Sequence, residues 1–192
     1  MSSYHQLLYH IVIRTKDSLR TIDPNQSKQL YAYIGGIVKN KNCHLYRING
    51  MEDHIHILTD IHPSIALAGF IRDIKVSTSV WMKNCGYFPA FDGWSEKYGA
   101  FTCSYFDVGD ITDYIKNQQE HHKKEGFSEE YRRLLIESGI VFDETRISIN
   151  YWEPWYLGLD PQRTRPRGLV TADNPRTGAY RELVAHSALA AS

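Results

Sequence analysis

Residues 44–58 read HLYRINGMEDHIHIL, and this stretch decides how the chain folds. It contains two short runs with apolar residues at intervals, 44–48 and 53–58, on either side of Asn49-Gly50. Asn-Gly is the strongest short-range hairpin signal, because both residues tolerate the positive φ that a tight two-residue turn requires. The sequence therefore predicts two antiparallel strands joined at Asn49-Gly50.

The second of these strands alternates histidine with isoleucine over residues 54–57. Side chains two residues apart on a strand point to the same side, so His54 and His56 share one face and the isoleucines share the other. Two imidazoles at this spacing suit a metal site, which needs at least one further ligand. The same triplet also fits two histidines on a sheet surface with no ligand, so alone it does not establish a metal site.

The segments around the hairpin complete a longer order of elements. Alternating apolar residues predict strands, and recurrence at three- and four-residue intervals predicts helices. Before the hairpin, the sequence predicts a strand in residues 4–15 and a helix capped by Asp23 with Pro24 in its first turn. After the hairpin, it predicts a helix that begins at Pro63-Ser64, a loop over residues 85–99 and a strand over residues 100–108. This βαββαβ order predicts an α/β (α+β) domain, a ferredoxin-like antiparallel sheet with two helices on one face.

Two more helices are expected after the last strand, over about residues 110–124 and from Ser128 to Gly139. Tyr114 and Gln118 are four residues apart in the first of them, so both could be presented to one point above the sheet. A Tyr and a Gln at this spacing also commonly belong to an ordinary amphipathic face. Spacing alone leaves the role of this pair open.

Length and charge limit the possible functions. The 192 residues suit one compact domain, which we expect over residues 1–145, followed by a poorly packed extension over residues 146–192. Lys+Arg and Asp+Glu number 22 each, so the net charge is zero, whereas proteins that grip long nucleic acids are usually basic. Any contact with nucleic acid must therefore use a local patch.

Targeting and cysteine signals are weak throughout the sequence. We find no long apolar run and no signal-peptide pattern, which predicts a cytoplasmic protein without a membrane span. Cys43, Cys85 and Cys103 lack CxxC spacing, so we expect reduced, free thiols rather than disulfides or a zinc knuckle.

The strongest signal comes from five segments taken together. They are YHIVIRTK (9–16), INGMEDHIHIL (48–58), IRDIK (71–75), DYIKNQQEHHKK (113–124) and FSEEYRRLLIESGIVFDE (127–144). In content and order they resemble the single-tyrosine HUH transposases, a family of insertion-sequence transposases and their repeat-associated, domesticated relatives. Agreement across all these segments is much more specific than the His-x-His triplet alone.

This resemblance implies a role for each of the four residues singled out above. His54 and His56 match the metal-binding HUH pair, Gln118 the third ligand, and Tyr114 the nucleophile. The implied activity is cleavage and rejoining of single-stranded DNA beside a hairpin, through a 5′-phosphotyrosine intermediate and with Mg²⁺ or Mn²⁺. Members of the family form homodimers that can exchange the nucleophile-bearing helix, so Tyr114 could complete the site of a partner subunit.

Other residues are weaker candidates for contact with DNA. Basic side chains suited to the DNA backbone are Arg14, Lys16, Arg72, Lys75, Lys116, Lys123 and Lys124. Aromatic side chains suited to stacking on unpaired bases are Trp94, Tyr105 and Phe106, although aromatics near strands more often belong to the core. His10 suits a structural role, and His121 or His122 could approach the phosphate.

Three alternatives remain open at this stage. A relative could use the fold only to bind nucleic acid, although an intact set of His54, His56, Tyr114 and Gln118 argues against that. A domesticated enzyme could cut genomic repeat hairpins without moving an element, which genomic context would reveal. A small metal-dependent nuclease would use water as its nucleophile and form no covalent adduct.

Overall fold

A computed structural model describes residues 4–143 of the chain. Their centre is one antiparallel sheet whose strands lie in the order β2-β3-β1-β4. The strands are β1 (Leu8–Thr15), β2 (His44–Gly50), β3 (His54–Asp60) and β4 (Trp94–Thr102). With a helix between β1 and β2 and another between β3 and β4, the predicted ferredoxin-like βαββαβ order is confirmed.

Helices cover both faces of the sheet. They are α1 (Ser27–Asn40), α2 (Leu67–Asn84), α3 (Val108–Lys116), α4 (Gln118–His121) and α5 (Phe127–Glu137). The first two pack together on one face, where Tyr33 of α1 stacks on Trp81 of α2 with ring centroids 4.7 Å apart. The last three follow β4, and α3 and α5 pack over the opposite face.

The face under α1 and α2 is a continuous apolar core. Alternation sends Ile11 and Ile13 of β1 and Ile55 and Ile57 of β3 into it, and all four are fully buried. The two strands run antiparallel with Ile11 opposite Ile57 and Ile13 opposite Ile55, so the four side chains form one block. Burial of a whole isoleucine side chain contributes about 1.5–3 kcal/mol, so this block is a main source of stability.

The opposite face of the sheet carries histidines, which alternate with the isoleucines along β1 and β3. His10 of β1 and His54 and His56 of β3 are almost completely buried there. Small apolar clusters flank them, one formed with Leu134 of α5 and one with Ile115 of α3. The predicted separation of His54 and His56 from the isoleucines is therefore observed, but the histidines are enclosed rather than at the surface.

The turn of the hairpin differs from the prediction. Asn49 pairs with His56 and Gly50 with Ile55 inside the ladder, so the turn consists of residues 51–53. The Asn49 side chain is used elsewhere, because its amide donates to the carbonyl oxygens of Ile115 and Lys116, each 3.0 Å away. The Asn-Gly pair thus ends a strand and anchors the end of α3.

The first two helices begin later than the sequence suggests. Asp23 accepts a hydrogen bond from the Asn25 backbone N–H (2.8 Å), which forms a separate turn, and α1 starts only at Ser27. Likewise α2 starts at Leu67 rather than at Pro63-Ser64. In both cases the polar signal marks a turn just before the helix.

Two boundaries near the last strand were also wrong. β4 begins at Trp94, inside the expected loop, because Trp94 pairs with Thr15 of β1. The Trp94 indole N–H also donates to Thr78 Oγ1 (2.8 Å), and its ring packs on Phe91. The strand ends at Thr102 rather than near residue 108. The expected single helix over residues 110–124 is broken at Asn117 into α3 and α4.

The sequence also led to predictions about a C-terminal extension, membrane-spanning segments and the three cysteines. The proposed boundary between residues 145 and 146, and the extension beyond it, lie outside the described residues. Within residues 4–143, none of the helices combines the length and apolarity needed to cross a membrane. All three cysteines are free, as predicted.

Candidate active site

The two histidines of β3 are held through the same ring nitrogen. His54 Nδ1 lies 2.6 Å from Asp53 Oδ1, and His56 Nδ1 lies 2.9 Å from His10 Nε2. If each Nδ1 carries the proton and donates it, each Nε2 has a free lone pair. Both Nε2 atoms are buried and have no hydrogen-bond partner among residues 4–143. Imidazoles whose Nδ1 is held in this way are suited to bind a metal through Nε2.

Burial keeps the imidazoles in the form that a metal needs. It lowers the pKa of His10 to about 3, with a further contribution from the neighbouring His56. Burial also lowers the pKa of His56, although the Glu130 carboxylate acts in the opposite direction. His10 and His56 are therefore uncharged at neutral pH, and a neutral imidazole is a ligand whereas an imidazolium is not.

Gln118, the first residue of α4, brings an amide to the same place. Its side chain is fully buried, and its Nε2 donates to Glu130 Oε1 at 2.8 Å. The Oε1 of Gln118 is buried and has no hydrogen-bond partner within the described part of the chain. After the break at Asn117, Gln118 contacts the same carboxylate that faces His54 and His56, so the structure brings the three side chains together around Glu130.

Tyr114 lies on α3 beside these groups. Its ring stands edge-on to His56 with centroids 6.1 Å apart, and its side chain is only 6% exposed. The Tyr114 hydroxyl donates to the Glu130 carboxylate. Arg133 Nη2 lies 3.4 Å from the Tyr114 hydroxyl oxygen. Burial, followed by the charge of Glu130, raises the pKa of Tyr114, and Arg133 only partly offsets this. The hydroxyl is therefore protonated.

Glu130, on α5, is a site residue that the sequence interpretation missed. It is fully buried, and its carboxylate contacts Tyr114, Gln118 and His122, the last at 3.0 Å. Burial alone would raise the pKa of its carboxyl group, but the imidazoles of His56, His122 and His54 more than offset this, so the pKa is well below its usual range. Glu130 is thus an anion.

A signal for Glu130 was present in the sequence. It lies three residues after Phe127 and four before Leu134, which helical spacing places on the buried side of α5. A carboxylate on the apolar side of a helix needs a partner, and this distinguishes Glu130 from the exposed Glu129 next to it. His10 and Asp53 were also missed as partners of the two histidines, because those contacts depend on tertiary structure.

A second ionic cluster lies behind Tyr114. Arg133 donates to both carboxylate oxygens of Glu125, at 3.1 and 2.7 Å, and its Nη2 also lies 3.0 Å from His121 Nε2. Burial would raise the pKa of Glu125, but hydrogen bonds from His121 and Arg133 bring it down to about 2. Of the two adjacent histidines, His122 contacts the carboxylate in the site and His121 contacts this outer cluster.

The residues present fit a divalent cation. Three buried lone-pair atoms without hydrogen-bond partners, His54 Nε2, His56 Nε2 and Gln118 Oε1, surround an anionic carboxylate. Ligand atoms of another set, His54, His122 and Glu130, all lie within 4.8 Å of one another. Imidazole, amide and carboxylate donors together suit Mg²⁺, Mn²⁺ or Zn²⁺.

The basic residues expected to contact DNA fall into two groups. Arg14 and Lys75 are engaged inside the protein: Arg14 is 9% exposed and lies over the Phe127 ring, and Lys75 donates to backbone carbonyls of β4. The remainder reach solvent, some of them in surface ion pairs, and they are Lys16, Arg72, Lys116, Lys123 and Lys124.

The aromatic candidates also divide. Trp94 is part of the fold, as described above, and is poorly placed for stacking on a base. Tyr105 and Phe106, in the short 3-10 turn before α3, are 59% and 91% exposed. Such exposure is unusual for a phenylalanine and leaves both rings available for stacking.

Comparisons with known proteins give one decisive match. The family described as IS200-like transposases matches residues 3–118. None of the curated proteins matches the chain.

Two solved structures are similar but distant. A candidate transposase of Deinococcus radiodurans R1 shares 22% identity with a TM-score of 0.49, over 62% of this chain and 95% of that one. A REP-associated tyrosine transposase bound to a REP hairpin shares 15% identity with a TM-score of 0.48, over 64% of this chain and 74% of that one. Likeness at this level adds no argument, so the assignment depends on the family match, which spans more than half of the chain. The chain belongs to the family of IS200-like transposases.

Proposed function

We propose that this transposase-family protein cleaves and rejoins single-stranded DNA beside a hairpin, with Tyr114 as the nucleophile. His54, His56 and Gln118 hold a divalent ion, Mg²⁺ or Mn²⁺, and the covalent intermediate is a 5′-phosphotyrosine. The hairpin substrate comes from the family resemblance. The roles of Tyr114 as nucleophile and of His54, His56 and Gln118 as ligands also come from this resemblance, and the arrangement of these residues in the chain supports them.

One observation carries the proposal. Within the described residues, the three atoms that the proposal names as ligands are buried and lack hydrogen-bond partners. Buried polar atoms without partners cost about 1–3 kcal/mol each, so three in one place are a large expense unless something binds there. The nucleophile candidate Tyr114 is in contact with the same cluster through Glu130.

The expected ion supplies one kind of chemistry. Bound to a non-bridging phosphate oxygen, a divalent cation offsets the negative charge that develops when a phosphodiester is attacked. Two imidazoles and one amide oxygen leave coordination positions open for this purpose. Affinity alone favours zinc or copper, so the choice of Mg²⁺ or Mn²⁺ follows from availability and from the phosphate chemistry.

The side chains account for the remaining steps. The Tyr114 oxygen forms a bond to phosphorus as the bond from phosphorus to the 3′ oxygen breaks. The phenolic proton leaves to a base, and the departing 3′ oxygen takes up a proton. Arg133, 3.4 Å from the Tyr114 oxygen, stabilises negative charge as the proton is lost. The phosphate remains linked to Tyr114, so a second 3′ hydroxyl can reverse the step without ATP.

Whether Tyr114 acts in its own subunit or in that of a dimer partner is also part of the proposal. In this chain Tyr114 lies against its own His56, which favours action within one subunit over exchange of α3 between two. Since Tyr114 and the proposed ligands are at most 6% exposed, a DNA strand reaches them only after neighbouring parts of the chain move aside.

A covalent adduct tests this function. Incubation with single-stranded hairpin DNA and Mn²⁺ is expected to give a protein–DNA adduct that survives denaturation. Tyr114→Phe, which removes only the hydroxyl, should form none, and Tyr87→Phe serves as a control at a more exposed tyrosine. Cleavage without an adduct would instead indicate a nuclease that uses water. An undiminished adduct in Tyr114→Phe would exclude Tyr114 as the nucleophile.

A further inference from the structure

The Glu130 carboxylate faces both histidines of the proposed metal site. Oε1 lies 3.4 Å from His56 Nε2, and Oε2 lies 3.6 Å from His54 Nε2. Both separations are longer than an ordinary hydrogen bond to a carboxylate, and both Nε2 atoms lack a hydrogen-bond partner of good geometry within residues 4–143. The two oxygens are therefore within ion-pair range of the imidazoles, but not in close hydrogen-bond contact with them.

These separations are close to, or slightly longer than, those expected between two ligands of a common ion. Two donor atoms that each lie about 2.1 Å from a metal are about 3.0 Å apart in an octahedral site and about 3.4 Å apart in a tetrahedral one. A direct N–H···O hydrogen bond to a carboxylate is shorter, about 2.7–2.9 Å. The observed spacing leaves room for an ion between the nitrogens and the oxygens.

The other contacts of Glu130 also fit a ligand role. Glu130 is fully buried, and its ion-pair contacts in the described part of the chain are all with histidines. The nearby Arg133 forms its ion pairs with Glu125 and Glu137 instead. The carboxylate therefore lies among imidazoles, which are themselves metal-binding side chains.

We propose that Glu130 is a further ligand of the divalent ion, next to His54, His56 and Gln118. This inference rests on the proposed function, because it assumes that the ion binds there. His122 also contacts this carboxylate, with its Nε2 3.0 Å from Oε2. An anionic oxygen added to two imidazoles and an amide oxygen shifts the donor set toward hard ions such as Mg²⁺ and Mn²⁺.

Metal affinity is the first test. Mn²⁺ binding is measured from the loss of the electron paramagnetic resonance signal of free Mn²⁺, in wild type, Glu130→Gln and Glu120→Gln. The last variant removes an equal charge at an exposed position of α4. Mutation of a residue that only hydrogen-bonds to a metal ligand already weakens metal binding about 10-fold or more, so the loss of a ligand should weaken it at least that much. The Mn²⁺ affinity of Glu120→Gln should equal that of wild type. Equal affinity in wild type and Glu130→Gln would overturn the proposal.

Thermal unfolding distinguishes a loss of metal binding from a loss of folding. Each variant is compared with itself, with and without Mn²⁺, because an ion that binds only the native state raises the Tm in proportion to its affinity. We expect a large Mn²⁺-dependent rise for wild type and Glu120→Gln and a much smaller one for Glu130→Gln. A full-sized rise in Glu130→Gln would contradict a ligand role, even if its Tm without metal were low.

Anomalous diffraction from crystals grown with Mn²⁺ separates a ligand from an outer partner. The ion is expected about 2.2 Å from a Glu130 oxygen, and a separation beyond about 3.5 Å overturns the proposal. Failure of the proposed function would look different: wild type itself would bind no Mn²⁺, or His54→Ala would bind it as well as wild type does. If only Glu130→Gln binds normally, the histidine site stands and this inference alone fails.

Discussion

The two faces of one sheet have opposite chemistry, although the same strands build both. On one face Ile55 and Ile57 pack under α1 and α2 in a core of apolar side chains. On the other, His54 and His56 lie under the later helices with buried atoms that lack hydrogen-bond partners among residues 4–143. A two-residue period thus lets one strand contribute to the apolar core on one face and to the proposed metal site on the other.

The energetic consequences differ accordingly. An isoleucine in the apolar core stabilises the fold by burial and by close packing. A buried histidine whose Nε2 has no partner stabilises the metal-free fold little, and its value appears when an ion binds. Substitutions on the two faces should therefore separate stability from activity.

The largest expected effect is the loss of activity on the histidine face. His56→Ala removes one proposed ligand, and cleavage of hairpin DNA should fall at least about 100-fold, since metal stabilisation of phosphate charge is worth several kcal/mol. Binding to the hairpin, measured by gel shift, should persist. His44→Ala, at an exposed position of β2, is the matched control. Unfolding of His56→Ala without metal would make this histidine structural and remove the contrast between the faces.

Next in size is a loss of stability on the isoleucine face. Ile57→Ala leaves a cavity in the core and should lower the free energy of unfolding by about 2–5 kcal/mol, measured by urea denaturation. The Mn²⁺ affinity of the folded protein should be unchanged, because the side chain points away from the site. If Mn²⁺ affinity fell together with stability, the two faces would not be independent.

A smaller effect is expected where the backbone connects both faces. A Cβ added at Gly50 would lie 2.2 Å from the His54 carbonyl oxygen, so Gly50→Ala must shift the strand that carries His54. We expect a loss of about 1–3 kcal/mol in stability together with weaker Mn²⁺ binding. Gly36→Ala in α1, where a Cβ would meet no atom within 4 Å, should be neutral or stabilising by up to about 1 kcal/mol. Equal behaviour of the two variants would contradict this account of Gly50.

Local patterns in the sequence were enough to predict the order of elements and the division between the faces. Alternation in residues 54–57 needs no tertiary information, and the same holds for the spacing of Tyr114 and Gln118. The break at Asn117 was missed because the Asn49 side chain, distant in sequence, bonds to the carbonyls at the end of α3. The predicted start of α1 was too early because Asp23 forms a turn just before the helix rather than its N-cap.

The missing parts of the site share one cause. Glu130, Asp53 and His10 act through contacts with His54, His56 or Tyr114 that exist only after α5 and β1 have packed onto β3. Asp53 is adjacent to His54 in sequence, yet the bond depends on the shape of the turn that holds both. Sequence patterns locate side chains on a face, whereas hydrogen-bond partners across elements require the fold.

Peptide mapping of the covalent adduct tests the central claim most directly. Protein is incubated with single-stranded hairpin DNA and Mn²⁺, digested with nuclease and trypsin, and analysed by tandem mass spectrometry. The tryptic peptide over residues 98–116 contains Tyr98, Tyr105 and Tyr114, so fragmentation has to identify the modified residue. We predict a nucleotide linked through its 5′ phosphate to Tyr114 alone. Linkage to Tyr105 or Tyr98, or cleaved DNA with no modified tyrosine, would contradict the account.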